Sequence, residues 1–332
     1  MVNKIYFIEK SISFNANDIN KFKIGGSEKT LINISNEIAK NNNIKVKVFN
    51  LCDEDKLINN VYWSNINNIN KVDKPDFLIA MSDANLLSLV DAQKKFLWSH
   101  SVQPIEKFFR KKQLLPFLKN KPIMLLESNY HFNTRSFFTS FFGKKIINLA
   151  PDDEIINTKV DVDYIPNKRA IFNTRSDRNL ILLLECWKTI QKNSNNSYLF
   201  INPPFNLTDE FKLINVQIRR KGDKDELINE LLNTRVMLNP GHKGEVYCLA
   251  AEEARELCVP IVTMGYGALK ERVEHGVTGY IARNKNEFID YSKKILNDDF
   301  LYKKLKKNLF LKKNLRSYKN VADDFLKTIY ES

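Results

Sequence analysis

The sequence predicts an α/β protein built from two Rossmann-like, doubly wound domains. Three observations carry this expectation. Short apolar runs alternate with helical stretches over the first 150 residues (IYFI, VKVF, FLIAM, FLWSH, IMLLES, KIINLA). A second series of such runs begins near residue 170 (AIF, YLFI, VQIR, VMLNP, IVTM, GYIA). And 332 residues exceed what one hydrophobic core usually organises. Strands alternating with helices form parallel sheets covered on both faces. The expected domains are residues 1–150 and 169–320, with a linker at 151–168 where DDE, Pro166 and Asn167 cluster, and a last helix at 321–332.

In chain order, Lys4–Ile8 reads as the first strand. Gly25-Gly26-Ser27-Glu28 then precedes an amphipathic helix over Leu31–Ala39, and Val46–Phe49 is the next strand. Two glycines before a helix let a ligand approach the backbone closely. Phe96–His100 reads as a buried strand ending on a histidine, for which a structural role is as ready an explanation as a catalytic one. In the second half, the strand Ala170–Phe172 runs into a polar loop holding Arg175 and Arg178, and a helix follows over Leu180–Trp187. Two guanidinium groups at a strand-to-helix loop suit a phosphate, which they bind bidentately. A pair of solvated surface arginines is the plainer alternative.

Asn239–Gly279 is the richest segment. Arg235–Asn239 reads as a strand, and Pro240, Gly241 and Gly244 break regular structure. Tyr247–Leu257 favours a helix, and Pro260–Met264 is the next strand, followed by the glycine-bearing loop Gly265–Gly267. Ligands of such sheets sit beyond the carboxyl ends of the strands, facing helix N-termini. Glu245 is expected at the helix start and Glu253 eight residues on. A pyrophosphate over that helix N-terminus would meet free N–H groups and the positive end of the dipole. A sugar would extend toward Glu245 and a ribose toward Glu253, because a carboxylate accepts several hydroxyl hydrogen bonds. The competing explanation is an acidic helix start with Glu252, Glu253 and Glu256 in water.

The strings EVYCLAAEEA, PIVT and GALKERVEHGVTG resemble the donor-site signature of the family 4 glycosyltransferases, retaining enzymes of the GT-B fold, in which two such domains face one another across a cleft. Glu245 and Glu253-Ala254 fit the paired glutamates of that pattern, and Glu271 fits its later acidic position. Tyr247-Cys248 stands where many members have Phe-Gly. Val259 stands where a glycine is more usual. Arg175 fits the family's phosphate-binding Arg and Arg178 lies near its Lys, in a loop two residues shorter than usual, with Thr174 and Asn179 at the flanking glycine positions. The resemblance implies catalytic roles for Glu245 and His100. It implies donor contacts for Arg175, Arg178, Glu253, Glu271, Gly25, Gly26, Gly244, Val246, Tyr247 and Gly267. It further implies retention of configuration, and a last helix that crosses back to the first domain. The expected co-substrate is a nucleoside-diphosphate sugar, with no metal and no other cofactor, since arginines and a helix dipole handle the phosphates. The expected acceptor is a glycan or glycolipid of cell-surface assembly. A dinucleotide-dependent oxidoreductase is the rival from another class, but Gly25-Gly26 lacks the third glycine of its fingerprint. A catalytically inactive membrane-surface protein of the same fold is the other.

The charge is local. Residues 94–145 hold 11 basic and 2 acidic residues, interleaved with Phe108-Phe109, Phe137-Phe138 and Phe141-Phe142. Basic residues among aromatics suit an anionic membrane surface, while phenylalanines in the core beneath a solvated basic face explain the same pattern. No nucleic-acid-binding module accompanies the charge, so nucleic acid is not an expected partner. Four cysteines without metal spacing read as reduced core residues. Without a signal-like N-terminus or a long apolar run, the expectation is a cytoplasmic protein, peripheral at the inner membrane face.

Overall fold

The computed structural model describes residues 3–19, 21, 24–71, 73–204, 215–220 and 222–332. The chain divides into two compact units, Met1–Leu149 with Tyr318–Ser332, and Ala150–Ser317. Both are α/β units built on parallel sheets.

The first unit contains β1 (Asn3–Ile8), α1 (Gly26–Ala39), β2 (Ile44–Asn50), β3 (Lys56–Ile58), β4 (Val61–Asn65), β5 (Phe77–Met81), β6 (Lys94–Trp98), α2 (Ile105–Arg110), α3 (Leu114–Asn120), β7 (Ile123–Leu126), α4 (Asn129–Thr134) and β8 (Lys144–Ile146). Its strands lie in the order β3-β4-β2-β1-β5-β6-β7-β8. All neighbours are parallel except β3 and β4, which form a hairpin. β5 is buried at all five residues, as a central strand covered on both faces must be. β3 and β4 lie outside the strands expected from sequence. Their turn is Asn59-Asn60, both at positive φ (52° and 61°), the conformation that two-residue hairpin loops require and asparagine tolerates. α1 starts at Gly26, five residues before the expected Leu31, because Gly25 in extended geometry serves as its N-cap.

The second unit contains α5 (Asp153–Asn157), β9 (Arg169–Phe172), α6 (Leu180–Lys192), β10 (Tyr198–Ile201), β11 (Val216–Ile218), α7 (Lys224–Leu232), β12 (Val236–Leu238), α8 (Leu249–Glu256), β13 (Ile261–Thr263), β14 (Gly279–Ile281), α9 (Lys285–Asn297) and α10 (Asp299–Leu311). Its six strands are all parallel, in the order β11-β10-β9-β12-β13-β14. The chain moves outward from β9 to β11 and then resumes on the other side at β12. The gap between β9 and β12 is therefore the topological switch point. Residues 151–168, expected as a linker, belong to this unit. Ile155 of α5 is buried in the cluster formed with Ala251, Ala254 and Leu257, and Lys224 pairs with Asp152 and Glu154.

The last helix, α11 (Tyr318–Tyr330), belongs to the first unit. Its buried face is Tyr318, Val321, Ala322, Phe325 and Ile329, spaced as one stripe of a helix. Phe325 packs on Phe7 and Trp98, and Tyr330 meets Phe77 edge-on at 5.2 Å. All four cysteines are buried free thiols. Among the described residues no helix is long and apolar enough to cross a membrane.

The adjacent phenylalanines split between core and surface. Phe108 and Phe117 are fully buried, with Phe138 and Phe142 packed against the same cluster. Phe109, Phe137 and Phe141 are exposed, the last two as an edge-on pair 5.4 Å apart. Arg110, Lys111, Lys112, Lys119, Lys121 and Lys145 are exposed as well. Both explanations of this segment thus apply, each to different rings.

Candidate active site

Three loops leave the carboxyl ends of neighbouring strands in the second unit. One runs from β9 to α6, one from β12 to α8, and one from β13 into a 3-10 turn at Gly267–Glu271. The first two flank the switch point. Each is fixed by backbone geometry that a loop alone would not hold. Asn179 sits left-handed (φ 63°) at the N-cap of α6, and its side-chain amide donates to the Gly241 carbonyl. The Gly241 N–H donates to the Asn239 side chain at 3.0 Å, an Asx turn that ends β12. Gly241 and Tyr266 form an isolated bridge that ties the second loop to the third.

These constraints bring Thr174, Arg178, His242 and Glu245 together. Arg178 Nε lies 3.2 Å from Glu245 Oε1, and Thr174 Oγ1 donates to the same oxygen at 3.2 Å. His242 Nδ1 accepts from Arg178 Nη1 at 2.9 Å and from the Gly244 N–H at 3.0 Å. With Nδ1 accepting twice, the imidazole is neutral and carries its proton on Nε2. Gly244 leaves room for the arginine, since a Cβ there would lie 2.6 Å from Arg178 Nη1. The Glu245 side chain is 8% exposed and that of Arg178 19%, so the ion pair is largely out of water. Burial, then the charge of the Glu245 carboxylate, holds the Cys248 thiol well above its ordinary pKa. Glu245 backbone is fixed too: its N–H donates to His242 O at 2.9 Å and its carbonyl accepts from the Ala268 N–H at 2.8 Å. The outcome is a cation and a carboxylate held side by side at the switch point, where a ligand bearing phosphates and hydroxyls would meet both.

The family model for glycosyl transferases group 1 matches residues 173–311, which spans all three loops. The chain carries a group 1 glycosyltransferase domain. Among curated protein sequences nothing matches this chain. Solved structures match it over nearly its whole length. HepE of Anabaena, in complex with UDP and glucose, has a TM-score of 0.74 at 13% identity, covering 99% of this chain and 100% of that one. Sucrose-phosphate synthase from Thermosynechococcus elongatus has a TM-score of 0.76 at 12% identity, covering 99% and 98%. A glycosyltransferase from Rickettsia africae has 0.73 at 14% identity, again covering 99% and 98%. The two parallel-sheet units therefore have the architecture of GT-B glycosyltransferases.

Within the group 1 domain, the helix that follows Glu245 begins at Leu249, two residues later than expected. Cys248 precedes it in left-handed geometry (φ 68°), which stops the helix from starting at Tyr247. Glu245 consequently lies in the loop rather than on the first helical turn. The left-handed conformation also explains why glycine is common at this position in the family pattern. At the other end of α8, the left-handed residue is Cys258 (φ 59°), not Val259, so the glycine-favouring position falls one residue earlier than expected. Val246 and Tyr247 are buried, at 5% and 4% exposure, and do not line an open surface. Arg272 fixes Tyr247: Nε donates to the Tyr247 carbonyl at 3.0 Å, and the guanidinium lies 4.0 Å from the Tyr247 ring.

The remaining expected residues of the group 1 domain fall into two sets. Arg175 is 64% exposed and pairs with Asp177 at 2.8 Å, and the same carboxylate lies 3.9 Å from Arg178 Nε. Glu252 and Glu256 are buried rather than solvated, Glu252 being bound by Arg255 and Arg272. Glu253 and Glu271 are half-buried. Gly267 (φ 70°) packs on the Glu245 backbone and Gly265 (φ 72°) precedes it. In the first unit, Gly25 and Gly26 lie exposed at the start of α1, and His100 follows the end of β6. Sequence reasoning gave no role to Thr174, His242 or Arg272. The Gly-His-Lys-Gly string at 241–244 was the available signal, since its glycines admit Arg178 and the 3-10 turn.

Proposed function

We propose that the chain transfers a glycosyl group from a nucleoside-diphosphate sugar to an acceptor hydroxyl with retention at the anomeric carbon. The carrying observation is the Arg178–Glu245 pair beside the switch point of the group 1 domain. In this reading Arg178, with Arg175 swinging in from solvent, neutralises the departing diphosphate. Glu245 holds hydroxyls of the transferred sugar, Glu253 the ribose, and Glu271 with Gly244, Val246, Tyr247 and Gly267 shapes the donor pocket. HepE's complexes with UDP and with UDP-glucose support a donor of this class. No metal and no further cofactor are assigned, because guanidinium groups supply the positive charge.

Calorimetry with UDP, GDP and ADP tests the donor site. At least one binds, and Arg178→Ala weakens it about 10- to 100-fold, the worth of a charge-assisted hydrogen bond. Binding of none of the three would remove the donor-site reading.

The acceptor assigned is a glycan or glycolipid of cell-surface assembly, met at the inner face of a membrane. The exposed Phe109, Phe137 and Phe141, with Arg110, Lys111 and Lys112 close in sequence, support an anionic bilayer as the docking surface. Each basic residue near such a surface contributes about 1 kcal/mol. The protein should co-sediment with phosphatidylglycerol vesicles and not with phosphatidylcholine ones. Replacing Arg110, Lys111 and Lys112 by glutamate should release it. Sedimentation indifferent to both lipid charge and these substitutions would refute the docking.

A further inference from the structure

The second unit carries a helix whose outward side differs from that of its neighbour. In α10 the stripe Tyr302, Leu305, Lys306 and Leu309 is buried, at the i, i+3, i+4, i+7 spacing of a packed helix face. On the opposite side Phe300, Lys304, Lys307 and Leu311 are all exposed, at i, i+4, i+7 and i+11, with Lys303 and Phe310 beside them. Phe300 is 82% exposed and Leu311 73%. Leu315, just past the helix end, is exposed too. The line from Phe300 to Leu311 runs roughly 16 Å along the helix at 1.5 Å per residue. It has a ring at one end, three ammonium groups along its middle and apolar side chains at the other end.

An ordinary solvated face looks different. α9, which precedes α10, exposes Lys285, Asn286, Asp290 and Lys294, with both signs of charge and no large apolar group. The outward side of α10 has no acid, and none occurs between Phe300 and Ala322. The acids that border it are engaged elsewhere. Asp298 caps the helix by accepting from the Leu301 N–H at 2.9 Å, Asp299 pairs with Arg235, and Glu274 pairs with Lys312 at 2.8 Å. Lys306 turns the other way and donates to the Tyr164 carbonyl at 2.8 Å. Lys303, Lys304 and Lys307 make no ion pair among the described residues.

Three kinds of occupant could cover such a face, and chemistry separates them. A second copy meeting it through the same face would set the three lysines against like charges, which costs affinity. A nucleic acid would take the lysines through its phosphates but would give Leu311 and Leu315 nothing to bury against. An anionic bilayer satisfies both features. Its headgroups attract the ammonium groups, and its acyl boundary takes up Phe300, Phe310 and Leu311. The flexible lysine stems let the charges stay at headgroup level while the apolar side chains go deeper. We infer that the outward face of α10 is a docking surface of the second unit for an anionic lipid bilayer. It is distinct in the chain from the surface of Phe109, Phe137 and Phe141, and it rests neither on that surface nor on the glycosyl-transfer reading.

The test uses the full chain carrying Phe300→Trp. The new indole reports on α10 alone, because Trp63, Trp98 and Trp187 are fully buried. Phosphatidylglycerol vesicles with brominated acyl chains quench it, and brominated phosphatidylcholine vesicles do not. In the same background, Lys303→Glu, Lys304→Glu and Lys307→Glu together raise the lipid concentration for half quenching about 100-fold, since each lysine near an anionic surface is worth about fivefold. Leu311→Gln raises it about 10-fold through lost apolar burial. Quenching that persists at saturating lipid when Arg110, Lys111 and Lys112 are glutamate supports the inference and separates the two surfaces. An indole that phosphatidylglycerol leaves unquenched overturns the inference, and co-sedimentation that still depends on Arg110, Lys111 and Lys112 then leaves the first-unit docking standing. Equal quenching by phosphatidylcholine overturns the role of charge. If vesicles leave the indole unquenched while a single-stranded oligonucleotide binds through the three lysines, the face belongs to nucleic acid. If instead a dimer forms and Leu311→Gln dissolves it, the face belongs to a second copy. Either result overturns the inference.

Discussion

Glu245→Gln lowers kcat/KM for glycosyl transfer by about 10²- to 10³-fold, the scale on which removing one preorganised active-site contact acts. Nucleotide affinity moves the other way or not at all. The reason is the pair seen in the second unit: Arg178 Nε is tied to Glu245 Oε1 at 3.2 Å, so a diphosphate must compete with the carboxylate for the guanidinium. Glutamine has the same shape and no charge, and it frees Arg178 for phosphate. Steady-state kinetics with calorimetry on one preparation separates the effects. A variant that transfers sugar at the wild-type rate would remove Glu245 from the sugar-binding role. A variant that loses UDP binding in step with turnover would show that Glu245 serves only to hold the loop.

Gly267→Ala should cost more than about 3 kcal/mol of stability and displace Glu245. Left-handed φ (70°) charges an L-residue roughly 1–2 kcal/mol by itself. The added Cβ would also lie 2.7 Å from the Glu245 carbonyl oxygen, 2.9 Å from the Glu245 Cβ, and closer still to the His242 carbonyl. Two of these are backbone atoms held in hydrogen bonds, so no rotamer change relieves the clash. Thermal unfolding and UDP binding should fall together. Gly276→Ala is the control, since it shares the positive φ (77°) but meets nothing within 4 Å. Equal losses at both positions would mean that backbone strain alone, and not the packing against Glu245, accounts for the effect.

Much of this was legible in the residues. Central strands such as Phe77–Met81 and Val236–Leu238 are continuous apolar runs, and parallel sheets buried on both faces produce just that pattern. The paired glutamates were found by spacing. What spacing could not give was which side chain turns inward. Arg175 and Arg178 look alike in sequence, yet Asp177 draws Arg175 to solvent while Gly244 makes room for Arg178 beside Glu245. The helix start slipped from Tyr247 to Leu249 because one left-handed residue, Cys248, stands before the good helix formers Leu249, Ala250 and Ala251. β3 and β4 were missed because an Asn-Asn turn is a weaker hairpin signal than Asn-Gly, and a three-residue strand has too short an alternation to read.

The four cysteines carry a practical consequence. Cys52, Cys186 and Cys258 have thiols pushed up by burial to about 11, and burial, then the Glu245 carboxylate, also raises Cys248 well above its ordinary value. Thiolate is the reactive species, so alkylating reagents should leave the native chain unmarked. Two of the four, Cys52 and Cys186, sit in different units, which makes the native thiols a paired clock of local opening: each becomes labelled only when its own unit unfolds. A single cysteine introduced on the surface would in turn be the sole site to accept a fluorophore, with no background to remove.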